Sequence, residues 1–113
     1  MYKNEEMKIL VIIPAYNEEK NIKETVERLK ESAASVDYVV INDCSKDRTE
    51  RILKNLGITY ISLPVNLGIG GAVQTGYKYG VENGYDIAIQ MDGDGQHDPK
   101  YLDTLIAPIV SGT

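Results

Sequence analysis

The chain has 113 residues, of which 42% are hydrophobic and 26% charged, so it is one small globular domain or a part of a larger one. Its 17 acidic and 12 basic residues give a formal net charge of −5. This acidity argues against a nucleic-acid partner, because a phosphate-binding surface needs clustered Lys and Arg. The single cysteine, Cys44, excludes an internal disulfide and a cysteine-rich metal site.

The longest apolar run, Ile9 to Ile13, is too short to span a bilayer. The first residues lack the apolar core of a secretory signal, so we expect a cytoplasmic location.

In chain order, short apolar segments predict four strands, which alternate with segments of helical periodicity. The strands are Lys8–Ile13, Tyr38–Ile41, Thr59–Leu63 and Asp86–Met91. The apolar faces of the first two helices are marked by Ile22, Val26, Leu29 and Ala33 and by Ile52, Leu53 and Leu56. Those of the third and fourth are marked by Ala72, Val73, Tyr77 and Val81 and, after Asp98-Pro99, by Leu102, Leu105, Ile106 and Ile109. Asp47 and Glu50 predict a capping box at the second helix.

This β-α alternation predicts an α/β fold, in which right-handed crossovers give a parallel sheet with helices on both faces. Ligands of such sheets bind beyond the carboxyl ends of the strands. Each predicted strand ends there in a polar or glycine-rich cluster, and the four clusters are residues 14–19, 42–47, 66–71 and 92–97. We therefore expect a functional site at this edge of the sheet.

Asp92 and Asp94 are separated by one glycine directly after the fourth strand. Alternate residues of an extended segment point the same way, so both carboxylates can face one point. Their mutual repulsion would be relieved by a cation, and oxygen ligands favour Mg²⁺ or Mn²⁺. A solvated acidic turn before a helix remains the alternative.

Other residues of this edge allow two interpretations each. Asp43 is placed to accept hydrogen bonds from a base or ribose, or to fix its own turn through backbone amides. Gly68, Gly70 and Gly71 open the third helix, either to present its amides to an anion or to let the helix pack closely. Tyr16 is positioned to stack on a base, or it packs in a partly buried site.

The four clusters together resemble the motifs of family 2 glycosyltransferases of the GT-A fold. They read P-A-Y-N-E-E, N-D-C-S-K-D-R-T, N-L-G-I-G-G-A and M-D-G-D-G-Q-H-D-P, in order from residue 14 to residue 99. The segments G-G-A-V-Q-T-G and D-G-Q-H are similar to the branch of dolichol-phosphate mannose synthase and bacterial polyprenyl-phosphate glycosyltransferases.

The resemblance implies a Rossmann-like nucleotide-binding half, with a four-stranded, mostly parallel sheet. It implies transfer of a sugar, with inversion, from a UDP- or GDP-linked donor to an acceptor such as a polyprenyl phosphate, in glycolipid or cell-envelope biosynthesis. The residues that it assigns to the nucleotide are Pro14, Ala15, Tyr16, Glu18, Asp43, Gly71, Asp92 and Gly93. Those that it assigns to Mg²⁺ or Mn²⁺, through the D-x-D pattern, are Asp92, Asp94 and Gln96.

Two features depart from the family pattern. Asn42 and Cys44 stand where D-D-G-S motifs have Asp and Gly, so we expect a local change in the turn, because Cys lacks the freedom of Gly at positive φ. The chain also ends where family members continue into an acceptor-binding half. We therefore expect residues 1–113 to be the donor-binding half alone, inactive by itself and without an identifiable catalytic base.

Without the second half, the fourth strand is expected to be an exposed sheet edge, which favours a homodimer. In the complete protein we expect association with the cytoplasmic face of a membrane. Two other functions are compatible with the pattern. One is a nucleotidyltransferase-like enzyme, although residues 14–19 lack its basic glycine-rich loop. The other is a non-catalytic nucleotide-binding module.

Overall fold

The computed structural model describes residues 7–32 and 35–92. They form a four-stranded parallel sheet in the order β3-β2-β1-β4. The elements in chain order are β1 Ile9–Ala15, α1 Ile22–Ser32, β2 Asp37–Asn42, α2 Thr49–Asn55, β3 Tyr60–Ser62, α3 Gly68–Glu82 and β4 Ile87–Gln90. The predicted α/β class, four-stranded sheet and parallel direction are confirmed.

The sheet carries helices on both faces, because the side chains of β1 and β2 are apolar on both sides. On one face, Val11 and Ile13 pack with Ile22 and Leu29 of α1 and with Leu53 of α2. The other face is covered by α3, and its buried residues are Leu10, Ile12, Val39, Ile41 and Ala72. The central position of β1, buried along almost its whole length, explains why its apolar run is continuous.

Close packing of α3 on the sheet depends on Gly76. A Cβ at this position would overlap the side chain of Ile12 in β1, whereas a Cβ at Gly70 would meet nothing within 4 Å. Gly76 is therefore required by the close approach of α3 to β1.

The start of α2 differs from the prediction. The capping box is wrong, because Arg48 occupies the cap position without a side-chain hydrogen bond and Glu50 instead accepts a hydrogen bond from the Ser62 hydroxyl. The Asp47 carboxylate does accept from the amide of Thr49. Ser62 belongs to β3, so residue spacing within α2 could not reveal its contact with Glu50.

β4 pairs only with β1 among the described strands, so it lies at the edge of the described part of the sheet, as expected. Ala33 and the predicted fourth helix after Asp98-Pro99 lie outside the described residues. In the part of the chain covered by the structure, none of the helices has both the length and the apolar character needed to cross a membrane.

Candidate functional site at the carboxyl edge of the sheet

A cavity of about 250 Å³ opens at the carboxyl edge of the sheet. Six of its lining residues are among those predicted for the nucleotide, and two more come from α3. The lining residues are Pro14, Ala15, Tyr16, Glu18, Asp43, Ile69, Ala72 and Asp92. The structure thus brings together clusters that lie up to 78 positions apart in the sequence, because parallel strands end on the same side.

Tyr16 and Ile69 supply exposed apolar surface to the cavity. Tyr16 follows β1 and is 44% exposed, and Ile69 in the first turn of α3 is 62% exposed. Tyr16 is thus partly exposed where it lines the cavity, which is compatible both with stacking on a planar ligand and with packing in a partly buried site. Ile69 was missed by the sequence reasoning, which followed the glycines of this segment; its signal was its position inside the cluster that follows the third strand.

Asp43 contacts the N-terminus of α3. Its carboxylate accepts hydrogen bonds from the amides of Leu67 at 2.7 Å and Gly68 at 2.9 Å, and the residue is only 4% exposed. The carboxylate does bind backbone amides, but they belong to the start of α3, 24 and 25 positions away, and not to the turn of Asp43 itself. The residue also lines the cavity. Both amides at the start of α3 therefore already bind the Asp43 carboxylate, which takes the position that an anionic ligand would occupy there.

Gly71 lies apart from this cavity. It lines a separate depression with other residues of α3 and its N-terminal neighbour, namely Leu67, Gln74, Thr75, Tyr77 and Lys78. A Cβ at Gly71 would come within 2.6 Å of the Leu67 Cβ, which indicates a packing reason for this glycine. Ala72, the next residue, faces the cavity instead.

Hydrogen bonds fasten the loop after β1 to the loop after β2. The amide of Asn17 donates to the Ser45 hydroxyl at 3.0 Å, and the amide of Lys46 donates to the Asn17 side chain at 2.8 Å. Asn17 takes a left-handed conformation, with φ 54°, which Asn tolerates better than most residues. The two loops that carry Tyr16 and Asp43 therefore form one connected rim.

Asp47 extends this rim toward α2. Its carboxylate accepts from the Thr49 hydroxyl at 2.6 Å, the Thr49 amide at 2.9 Å and the Glu19 amide at 3.2 Å. Partial burial acts to raise the pKa of Asp47, but these hydrogen bonds outweigh it and lower the pKa below its usual value. Thr49 in turn accepts from the amide of Glu18, a residue of the cavity.

The turn after β2 keeps the conformation that glycine would favour. Cys44 has φ 60°, so the substitution of Cys for Gly leaves a left-handed residue at this point of the turn. Asn42 is 2% exposed and satisfied by hydrogen bonds to Ser45 and Ser62. Asn42 is neutral where the family motif has a charged Asp, and its amide is held by these two hydrogen bonds.

Of the residues predicted for a metal, Asp92 lines the cavity and supplies the hard oxygen donor that Mg²⁺ and Mn²⁺ prefer. Gly93, Asp94 and Gln96 lie outside the described residues. Within residues 7–32 and 35–92, no three His, Cys, Asp or Glu side chains come together as a metal-binding group. Asp92 can therefore act as one metal ligand, and a complete metal site needs further ligands besides those that the described residues bring together.

Comparison of the sequence with known families gives a match to Glycosyl transferase family 2 over residues 10–113. An undecaprenyl-phosphate mannosyltransferase of Micrococcus luteus is 33% identical, over 91% of this chain and 44% of that protein. A UDP-N-acetylglucosamine–dolichyl-phosphate N-acetylglucosaminyltransferase of Methanococcus voltae is 38% identical, over 91% of this chain and 47% of that protein. The chain thus spans less than half the length of these relatives.

The fold is similar to that of glucosyl-3-phosphoglycerate synthase from Mycobacterium tuberculosis in complex with UDP. The TM-score is 0.77 at 25% sequence identity, over 95% of this chain and 41% of that one. The same enzyme in complex with Mn²⁺, UDP and glucosyl-3-phosphoglycerate gives a TM-score of 0.76 at 26% identity. The family match covers nearly the whole chain, and the sheet and its carboxyl-edge cavity agree with it: the chain belongs to Glycosyl transferase family 2.

Proposed function

We propose that this chain is the nucleotide-sugar-binding part of an inverting glycosyltransferase, and that the cavity at the carboxyl edge of the sheet holds the nucleotide. The observation that carries the proposal is the convergence of Tyr16, Asp43 and Asp92 on one cavity in a chain of this family. The length of the relatives supports the view that residues 1–113 are the donor-binding half and that an acceptor-binding half belongs to the complete protein.

The walls of the cavity suit a nucleoside. The exposed side chains of Tyr16 and Ile69 offer apolar surface to a base, and the carboxylate oxygens of Asp43 accept hydrogen bonds from base or ribose donors. Each carboxylate oxygen of Asp43 accepts one backbone amide and retains capacity for a second donor. A UDP-linked sugar is the first candidate, since a solved enzyme of similar fold is in complex with UDP; a GDP-linked sugar is the alternative.

The diphosphate of such a donor would meet an acidic surface, because Glu18, Asp43 and Asp92 all line the cavity. Mg²⁺ or Mn²⁺ held by Asp92 with Asp94 and Gln96 would neutralise this charge and act as a Lewis acid on the leaving diphosphate. A solved relative that contains Mn²⁺ and UDP supports this assignment. The rim formed by the loops after β1 and β2 would keep the nucleoside oriented, which favours an in-line reaction geometry.

The acceptor that we propose is a polyprenyl phosphate, because the names of two relatives specify undecaprenyl and dolichyl phosphates. An ionised phosphate acceptor is already a nucleophile and needs no general base from the protein. The complete protein would then act at the cytoplasmic face of a membrane, in the synthesis of a glycolipid or a cell-envelope component.

We also propose that the chain by itself forms a homodimer through the edge of β4. This strand pairs only with β1 among the described strands, and Ile87 and Ile89 are only half-buried. Light scattering over a range of concentrations would show a rising mass. A monomer mass that does not change with concentration would contradict this proposal.

The function is tested by calorimetric titration of the chain with UDP and with GDP, each with and without Mn²⁺. We expect binding of one nucleotide, strengthened by Mn²⁺, and loss of the metal effect in Asp94→Ala. Glu82→Gln, which removes an exposed acid at the end of α3, serves as the matched control and should bind as the wild type does.

Failure of the wild type to bind either nucleotide would contradict the proposed site. Binding of equal strength with and without Mn²⁺, unaffected by Asp94→Ala, would contradict the metal and favour a non-catalytic nucleotide-binding module.

A further inference from the structure

A buried side-chain amide at the end of β2, directly before Asp43, begins a chain of hydrogen bonds. The Asn42 side chain accepts from the amide of Ser45 at 3.3 Å and donates to the hydroxyl of Ser62 at 2.9 Å. Ser62 donates to the carboxylate of Glu50, also at 2.9 Å. This relay of Asn42, Ser62 and Glu50 links β2, its neighbour β3 and the first turn of α2.

The direction of the relay is determined by its two ends. The amide of Ser45 is only a donor, so the oxygen of the Asn42 side chain must face it and the NH₂ group must face Ser62. Since Ser62 has a single hydroxyl proton, and accepts from Asn42, that proton is given to Glu50. An ionised carboxylate such as that of Glu50 accepts hydrogen bonds and donates none, so each of the three hydrogen bonds in the relay has one donor and one acceptor.

The relay also fixes the backbone from which the cavity is built. Ser45, held by Asn42, accepts the amide of Asn17 next to Tyr16. Asp43 lies between Asn42 and the left-handed Cys44, and its carboxylate reaches the amides at the start of α3. Loss of the Asn42 contacts would thus loosen both the loop that carries Tyr16 and the turn that carries Asp43.

We propose that Asn42 is a positioning residue of the nucleotide site, acting through its hydrogen-bond relay to Ser62 and Glu50 to fix the turn that carries Asp43. The inference rests on the proposed function only where it concerns nucleotide affinity. The positioning of Asp43 itself is measurable without any ligand, from the protection of the amides of Leu67 and Gly68 that its carboxylate accepts.

The relay predicts a specific result when the negative charge is moved from residue 50 to residue 42. In Asn42→Asp, two carboxylates compete for the one hydroxyl proton of Ser62, and a buried oxygen is left without its donor. If Glu50→Gln is added, the amide of residue 50 donates to Ser62 and Ser62 donates to residue 42, so the relay runs in the opposite direction with all partners satisfied. The double variant also keeps the net charge of the wild type, which makes it a matched control.

The experiment compares Asn42→Asp, Glu50→Gln and the double variant in the full chain by amide hydrogen exchange, resolved by NMR. We expect Asn42→Asp to speed exchange at Leu67 and Gly68 by about tenfold, the effect of one unsatisfied buried group. The double variant should return to within about threefold of the wild type. The amide of Tyr85, which donates to Gly80 at the other end of α3, is the reference for opening away from the turn and should change less than the amides of Leu67 and Gly68.

Ser62→Ala covers the case in which Asn42→Asp does not fold, since it cuts the relay without adding a charge. It should speed exchange at the same two amides, and adding Glu50→Gln to it should have no further effect. UDP affinity should fall and recover in parallel with exchange. Unchanged exchange at Leu67 and Gly68 in both Asn42→Asp and Ser62→Ala would overturn the inference, as would the absence of rescue in a folded double variant.

A wild type that binds no nucleotide would contradict the proposed function alone, because hydrogen exchange still decides whether the relay positions Asp43.

Discussion

Replacement of Asp43 by Asn gives a quantitative test of how this site is held together. The carboxylate accepts two backbone amides, from Leu67 and Gly68, and the residue is almost fully buried. Asn retains one acceptor oxygen, but its NH₂ group would face the second amide, so one hydrogen bond is lost and two donors oppose each other. The negative charge at the N-terminus of α3 is lost as well.

The expected cost follows from these contacts. A hydrogen bond to a charged group contributes about 1.5–3 kcal/mol, and a charge at a helix terminus contributes roughly 0.3–1 kcal/mol. Since one of the two hydrogen bonds survives in weaker form, we expect Asp43→Asn to lower the free energy of unfolding by about 2–3 kcal/mol. For a domain of this size this corresponds to a decrease in Tm of roughly 10–20 °C.

The assay is urea denaturation followed by circular dichroism, with Glu82→Gln as the control. This control removes a negative charge from the last turn of the same helix, where a charge of that sign is unfavourable, so it should not destabilise the protein. A free energy of unfolding for Asp43→Asn within about 0.5 kcal/mol of the wild type, the usual range of a surface substitution, would refute the capping argument.

Two further predictions concern α3 and the rim. Gly76→Ala should destabilise the chain by about 1–3 kcal/mol in urea denaturation, because its Cβ overlaps Ile12, whereas Gly70→Ala should be neutral or stabilising by up to about 1 kcal/mol; equal effects of the two would contradict the packing argument. Hydrogen bonds lower the pKa of folded Asp47, so its contribution to stability is complete above its unfolded pKa and disappears as pH falls through the folded pKa. The wild type should therefore exceed Asp47→Asn in unfolding free energy at pH 7 by more than at pH 3, and a difference that does not change with pH would refute this.

Much of the site was predictable because strand ends and polar clusters coincide in the sequence. The apolar run that forms β1 fixes where the chain reaches the carboxyl edge, and Tyr16 and Glu18 follow directly from it. The same reasoning placed Asp43 and Asp92 at the end of their strands. Parallel pairing then required all four to converge, so their common cavity was a consequence of topology.

Hydrogen-bond partners were not predictable in this way. The sequence left two roles open for Asp43, and its position opposite the amides of α3 follows from how that helix packs on the sheet. Glu50 was assigned to a cap by its spacing from Asp47, yet Ser62 of β3 lies close enough to compete for it. Long-range partners of this kind depend on distances between elements, which spacing along the chain does not contain.

The sequence by itself thus determined the class of fold, the edge of the sheet at which the cavity opens and most of the residues that line it. These depend on apolar periodicity and on the rule that parallel strands end together. Only the tertiary structure decided that Asp43 caps α3, that Gly71 lines a separate depression and that Asn42 is linked to Glu50. The physical reason is that hydrogen bonds and close packing act over a few ångströms in space, between residues that the chain keeps far apart.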